Sequence, residues 1–393
     1  MLGFAAVAMF LSIGGSSYDF HDGLGLSAIR HGLVFASNAA QWWHSERHGR
    51  VLARCPGGRC LADLGASVAT TRRKDTDVNF TMRVITALAA LRGQPIRLSS
   101  IAAPDNDPDS VVIEPDPRAQ ISPSRGSRSH KRIAYADHSR KLRMDVLTPQ
   151  GRGPHPLVLY LPGGGFVSAR RGMAAKPRRY VADAGFVVAS IDYRTTSVGA
   201  TYRDGLIDVA AALQFLREHA AEYGIDPGRV AVWGESAGGY MAAMAATEPD
   251  NRINAVVDLF GASNLAEVAA GFDPATVAAY TGPTSAVPAY ILGPGRSPAD
   301  HPEEIRRADP ASRVTARTPP FLILHGDDDR IIAPTQTARL HQALRAAGVD
   351  STRYVLEGGG HGELSDNPEM WNSTELMDRV VDFLRTRLTQ TVR

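Results

Sequence analysis

From about residue 130 onward, apolar and polar positions follow two alternating periods. Leu142-Arg-Met-Asp-Val-Leu147 switches character at every residue, as a half-exposed strand does. Pro156–Leu161, Phe186–Ile191, Ala255–Phe260 and Phe321–Leu324 are short apolar runs, and Val230–Trp233 follows Arg229 in the same way. Runs of that length without alternation predict parallel strands buried on both faces. Leu206–Ala221 repeats its apolar residues at helical spacing and halts before Gly224. Thr374–Leu388 repeats them again as an amphipathic helix. Strands alternating with helices predict an α/β fold, with a mostly parallel sheet covered by helices on both faces.

Two stretches depart from this order. Residues 262–312 carry seven prolines (Pro274, Pro283, Pro288, Pro294, Pro298, Pro302, Pro310) and are too long for a simple connection. They are expected to form a small cap insertion, a lid or a wall of a substrate pocket. Residues 1–125 are irregular and are expected to form an N-terminal extension, partly disordered and without an assignable function. Residues 126–393 are expected to form the main domain. Pro104, Pro108, Pro115, Pro117 and Pro123 mark a linker or surface wrap before it. The basic cluster Arg125, Arg128, Lys131 and Arg132 reads as a solvated part of that linker. Within the extension, residues 82–92 have weak helical patterning. His44 and His48 stand at the i, i+4 spacing of a metal pair, but with no third ligand they read as surface residues.

Charge narrows the function classes. Lys and Arg total 43 against 41 Asp and Glu, a net charge of +2, which gives no electrostatic basis for nucleic-acid binding. Cys55 and Cys60 read as free thiols, with a small disulfide loop as the alternative for an exported chain. Gly3–Ile13 is apolar but too short to span a bilayer, and no Lys or Arg precedes it. The expected location is therefore cytoplasmic rather than secreted, and no stable membrane span is expected.

Gly234-Glu-Ser-Ala-Gly238 carries the chemistry. In G-x-S-x-G the serine sits on a sharp turn between a strand and a helix, crowded enough to require minimal residues on either side. Arg229–Trp233 supplies the strand and Tyr240-Met-Ala-Ala-Met-Ala-Ala the helix. The helix start offers the Ala237 amide to a developing oxyanion. A serine nucleophile needs a base, and the base needs an orienting acid, following the serine in the order acid, then histidine. Asp327, Asp328 and Asp329 follow one buried run, and His361 stands on the glycine-rich loop after Tyr354-Val-Leu. Upstream, Gly163-Gly-Gly165 follows another buried run and allows close backbone approach to a carbonyl. No nucleotide-binding glycine motif is present.

From Gly163-Gly-Gly-Phe166, Ile191-Asp-Tyr-Arg194, Tyr223-Gly-Ile-Asp-Pro227, Gly234-Glu-Ser-Ala-Gly-Gly239, His325-Gly-Asp-Asp-Asp329 and Gly360-His-Gly362, the stretch from about 140 to 390 resembles the α/β-hydrolase esterases and lipases, near the carboxylesterase and hormone-sensitive-lipase-like branches. The resemblance implies Ser236, Asp329 and His361 as catalytic residues, with Asp328 as second choice for the acid. It implies the amides of Gly164, Gly165 and Ala237 as the oxyanion hole, and a structural role for His325. The family's oxyanion loop commonly begins with His where this chain has Pro162. The expected function is hydrolysis of small carboxylic esters with short to medium acyl chains through an acyl-enzyme, with no cofactor and no metal. The alternatives are a peptidase or amidase of the prolyl-oligopeptidase type and a non-catalytic binding protein on the same fold. Monomer and dimer both remain open.

Overall fold

A computed structural model of the chain describes residues 98–389 apart from Asn106, Ser124, Arg125 and Ser139. Cys55, Cys60, His44, His48, the apolar run Gly3–Ile13 and the helical pattern at 82–92 lie outside the described residues. The described residues fall in a single compact unit.

Its strands are β1 (Val111–Ile113), β2 (Arg128–Asp137), β3 (Lys141–Thr148), β4 (His155–Leu161), β5 (Val187–Ile191), β6 (Ile225–Glu235), β7 (Ala255–Leu259), β8 (Phe321–Gly326) and β9 (Ser351–Leu356). They form one sheet in the order β1-β9-β8-β7-β6-β4-β5-β3-β2. Pairing is parallel except where β3 meets β5 and β2. The continuous apolar runs are the central strands, and every residue of β5, β7 and β8 is buried. The alternating run is β3, one strand from an edge, as its half-exposed pattern requires.

The α-helices are α1 (Ala175–Asp183), α2 (Tyr202–Glu218), α3 (Ala220–Tyr223), α4 (Ala237–Ala246), α5 (Pro274–Thr281), α6 (Ala286–Leu292), α7 (Pro302–Arg307), α8 (Thr335–Ala346) and α9 (Thr374–Thr389). On one sheet face Val158, Tyr160, Trp233 and Val257 pack with Val181 of α1 and with Leu376, Val380 and Leu384 of α9. The opposite face, with Leu159 and Val232, is covered by α4, against which α2 packs. All ten residues of α4 are buried. A helix apolar on every side suits that central place between sheet and helix.

Two expectations change. The division at residue 125 falls inside this unit, because residues 98–105 and 107–123 form a strap along it. Val111–Ile113 adds a parallel edge strand to β9, the Ile121 amide donates to Asn372 O at 3.0 Å, and the Ser99 amide donates to Arg330 O at 3.0 Å. A three-residue edge strand among prolines carries too little periodicity to be read in advance. The basic cluster is not linker either: Arg128, Lys131 and Arg132 belong to β2, an edge strand paired with β3. Charged side chains on an exposed edge discourage pairing with another sheet.

Candidate active site

Strand β6 ends at Glu235, and the Ser236 amide still donates to Leu259 O of β7 at 2.9 Å. The chain then reverses sharply into α4. Ser236 takes φ 57° and ψ −123°, a conformation rare for a residue with a side chain. A Cβ on Gly234 would lie 2.0 Å from Gly238 O, and one on Gly238 would lie 2.0 Å from Leu161 O. Both glycines are therefore sterically required. The turn lifts Ser236 Oγ to the C-terminal end of the sheet, 2.8 Å from His361 Nε2. His361 Nδ1 lies 2.6 Å from Asp329 Oδ2.

The carboxylate assigns the protons. Asp329 can only accept, so Nδ1 of His361 carries hydrogen and Nε2 is free to accept from the serine hydroxyl. Asp329 is wholly buried. Its Oδ1 accepts the amides of Ile331 and Ile332 at 2.8 and 3.0 Å, and its Oδ2 faces His325 Nε2 at 3.1 Å as well as His361. Burial alone would raise this carboxyl, yet His361, His325 and their hydrogen bonds hold it well below the usual carboxylate range. The ring of His361 meets Phe260 edge-on at 4.8 Å, and Phe260 in turn meets Trp371 at 4.5 Å. These contacts limit how far the imidazole can turn.

After β4 the chain enters the glycine loop. Gly164 and Gly165 have φ 145° and 61°, and Gly163 comes so close that a Cβ there would lie 3.1 Å from Ser236 Cβ. The amides of Gly164, Gly165 and Ala237 find no acceptor among the described residues. Beside Ser236 lies a cavity of ≈ 40 Å³ bordered by Gly165, Phe166, Tyr280, Val287 and Ile332. Tyr280 and Val287 come from α5 and α6, within the 262–312 insertion.

Comparison with known proteins decides the family. The BD-FAE family model matches residues 144–344, a span that includes Gly164, Gly165, Ser236 and Asp329 and ends before His361. The chain belongs to the BD-FAE family. It is 31% identical over 304 residues to the Esterase LipC of Mycobacterium tuberculosis, covering 70% of this chain and 69% of that protein. A second relative from that organism, the Probable carboxylic ester hydrolase LipM, is 27% identical over 53% of this chain. The chain spans about half the length of LipM, 49%. Among solved structures, a truncated form of a carbohydrate esterase from gut microbiota superposes with a TM-score of 0.59 at 24% identity, covering 68% of this chain and 99% of that one. The chain is an α/β-hydrolase of the esterase type.

The structure brings together Gly164, Gly165, Ser236, Ala237, Asp329 and His361, and it separates the three aspartates. Asp328 turns outward and accepts from Arg330 Nε at 2.9 Å. Asp327 caps a neighbouring turn through the Gly358 amide at 2.7 Å. Pro162 also finds its place: its carbonyl accepts from the buried Tyr193 hydroxyl at 2.8 Å. Farther along, Thr196 Oγ1 donates to Phe166 O and Thr195 Oγ1 to Val167 O, both at 2.8 Å. No local pattern in the sequence marks this bracing of the glycine loop, although Ile191-Asp-Tyr-Arg194 stands out as a motif. Arg194 grips Asp208 of α2 through three contacts of 2.8–3.0 Å, which fixes the segment that does the bracing. Among the described residues no helix is long and apolar enough to cross a membrane. No cluster of three or more potential ligands among them is placed to hold a metal ion.

Proposed function

We propose that the protein hydrolyses carboxylic esters with short acyl groups, using Ser236, His361 and Asp329 as its triad. The observation that carries this reading is the unbroken chain Ser236 Oγ–His361 Nε2–His361 Nδ1–Asp329 Oδ2, at 2.8 and 2.6 Å, on a strained elbow. His361 removes the hydroxyl proton as Ser236 Oγ attacks the acyl carbon, and the oxyanion forms against the amides of Gly164, Gly165 and Ala237. His361 then protonates the leaving alkoxide, and Asp329 stabilises the imidazolium between these steps. Water then gives one proton to His361 as its oxygen attacks the acyl carbon, and His361 passes that proton to Ser236 Oγ as the acid leaves. The cap insertion over 262–312 supplies part of the pocket wall. The wall that Phe166, Tyr280, Val287 and Ile332 place against Ser236 favours acetyl and propionyl groups over long chains.

The test is a series of p-nitrophenyl esters from acetyl to octanoyl, run with wild type and Ser236→Ala. The expected result is kcat/KM highest for the shortest esters and turnover in the variant lower by about 10⁴-fold or more. Undiminished turnover in Ser236→Ala removes the nucleophile assignment. A preference for octanoyl removes the short-acyl assignment alone.

A further inference from the structure

Asp329 is held by two histidines, and only His361 takes part in the proposed proton transfers. His325, the last-but-one residue of β8, is wholly buried and presents Nε2 to Asp329 Oδ2 at 3.1 Å and to Ile332 O at 3.1 Å. Both partners are acceptors, so Nε2 carries the hydrogen. Nδ1 lies 2.8 Å from Thr337 Oγ1 on α8. That hydroxyl also receives Arg353 Nε at 3.1 Å, and it lies 3.2 Å from Pro334 O. Arg353 NH2 already serves Pro334 O at 3.0 Å. With its hydrogen on Nε2, His325 offers a lone pair at Nδ1, which is the nearer acceptor for the threonine proton, and each polar group from Arg353 to Asp329 then has a partner. Arg353 lies on β9 with no exposed surface, and a charge so placed needs a partner. Asp105, on the strap before β1, supplies it through NH2–Oδ2 and NH1–Oδ1 contacts of 2.5 and 3.2 Å. Ser110 Oγ adds a contact of 2.7 Å, and Asp107 Oδ2 lies 3.8 Å away.

We propose that Thr337 and Arg353 are positioning residues for catalysis: through His325 they fix the orientation of the Asp329 carboxylate, and Asp105 of the strap keeps Arg353 in place. The inference rests on Asp329 being the acid of the triad. Losing the Thr337 hydroxyl leaves His325 Nδ1 without a donor. The proton can then move to Nδ1, which turns a lone pair on Nε2 toward the carboxylate and pushes Asp329 out of line with His361. Geometry errors of this kind are costly to rate and nearly neutral to ground-state binding.

Two measurements test it. In wild-type protein labelled with ¹⁵N-histidine, NMR should report His325 as the neutral Nε2–H tautomer. An Nδ1–H tautomer overturns the proposal whether or not any variant folds. In Thr337→Val, kcat should fall about tenfold with KM changed less than about twofold, and Thr337→Ser should restore it. Wild-type kcat in folded Thr337→Val overturns the proposal. Asp329→Asn, assayed alongside, separates the two layers. If it retains wild-type turnover, the triad assignment itself fails. If it is inactive while Thr337→Val is normal, only the positioning role fails.

Discussion

The elbow that carries Ser236 and the cap wall that faces it differ in what a single methyl group does. At the elbow there is no room: Cβ atoms on Gly234, Gly238 and Gly239 would lie 2.0, 2.0 and 2.3 Å from their nearest neighbours. The wall is made of short helices, α5 and α6, whose Tyr280, Ala286 and Val287 already present side chains to the cavity. The elbow presses backbone on backbone at Gly234 and Gly238, and backbone on the Asp258 carboxylate at Gly239, so it admits almost no variation. The wall is built from side chain against space, so selectivity can change there while the reacting groups stay still. Two tyrosines couple the regions: Tyr240 of α4 donates to Ala308 O at 2.8 Å, and Tyr290 of α6 lies 3.2 Å from Met241 Sδ.

That contrast can be broken by substitutions on either side. The largest effect should come from Asp329→Asn, which leaves the shape of the floor but spoils the tautomer of His361. Its kcat should drop by about 10⁴-fold, read by steady-state assay on an activated acetyl ester. Gly238→Ala adds one methyl where Leu161 O stands. It should lower stability by about 3 kcal/mol and kcat by about 100-fold, measured by urea unfolding and the same assay. An active, stable Gly238→Ala would show that the floor can yield after all. On the wall, Val287→Ala should leave acetyl turnover within about threefold and raise butyryl over acetyl selectivity by about tenfold, since one or two methylenes in a pocket are worth that much. A uniform loss across the ester series would mean that the wall is as intolerant as the floor.

The smallest effect concerns what lies under the elbow. Asp258 of β7 is wholly buried; its Oδ1 accepts the Gly261 amide at 3.0 Å and its Oδ2 finds no partner among the described residues. Burial pushes its carboxyl up to about 7. The folded protein thus keeps a proton that the unfolded chain releases from about pH 4 upward, so stability declines between about pH 4 and 7 and levels off above. Glu235, also raised to about 7 by burial, contributes to the same decline. Asp258→Asn should remove about half of that slope, read from unfolding midpoints across a pH series. An unchanged slope would mean that Asp258 is ionised in the folded state.

How much could be read beforehand depended on whether the signal was local. The central strands and α2, α4 and α9 were legible, because burial on both faces or on one stripe imposes a pattern on consecutive residues. The edge strands were not. β1 has three residues, and β2 presents Lys131 and Arg132 to solvent, so neither carries a buried face long enough to show a period. The triad positions could be named from motif and order, while the choice among Asp327, Asp328 and Asp329 came from family resemblance. Of the three, Asp329 is the one that is buried, with its Oδ2 2.6 Å from His361 Nδ1.

Consecutive residues were enough to specify the sheet's central order of strand and helix, the glycines that a strained serine turn demands, and a serine, an acid and a histidine in hydrolase order. These follow from short-range constraints: periodic burial, and the steric cost of a Cβ within a few residues of the turn. Long-range packing set which nitrogen of His325 faces Asp329, that Tyr193 holds the loop at Pro162, that the strap delivers Asp105 to Arg353, and how small the cavity beside Ser236 is. Asp105 and Arg353 are 248 residues apart in the chain. Contacts across such a separation leave no local period, and packing alone brings the groups together.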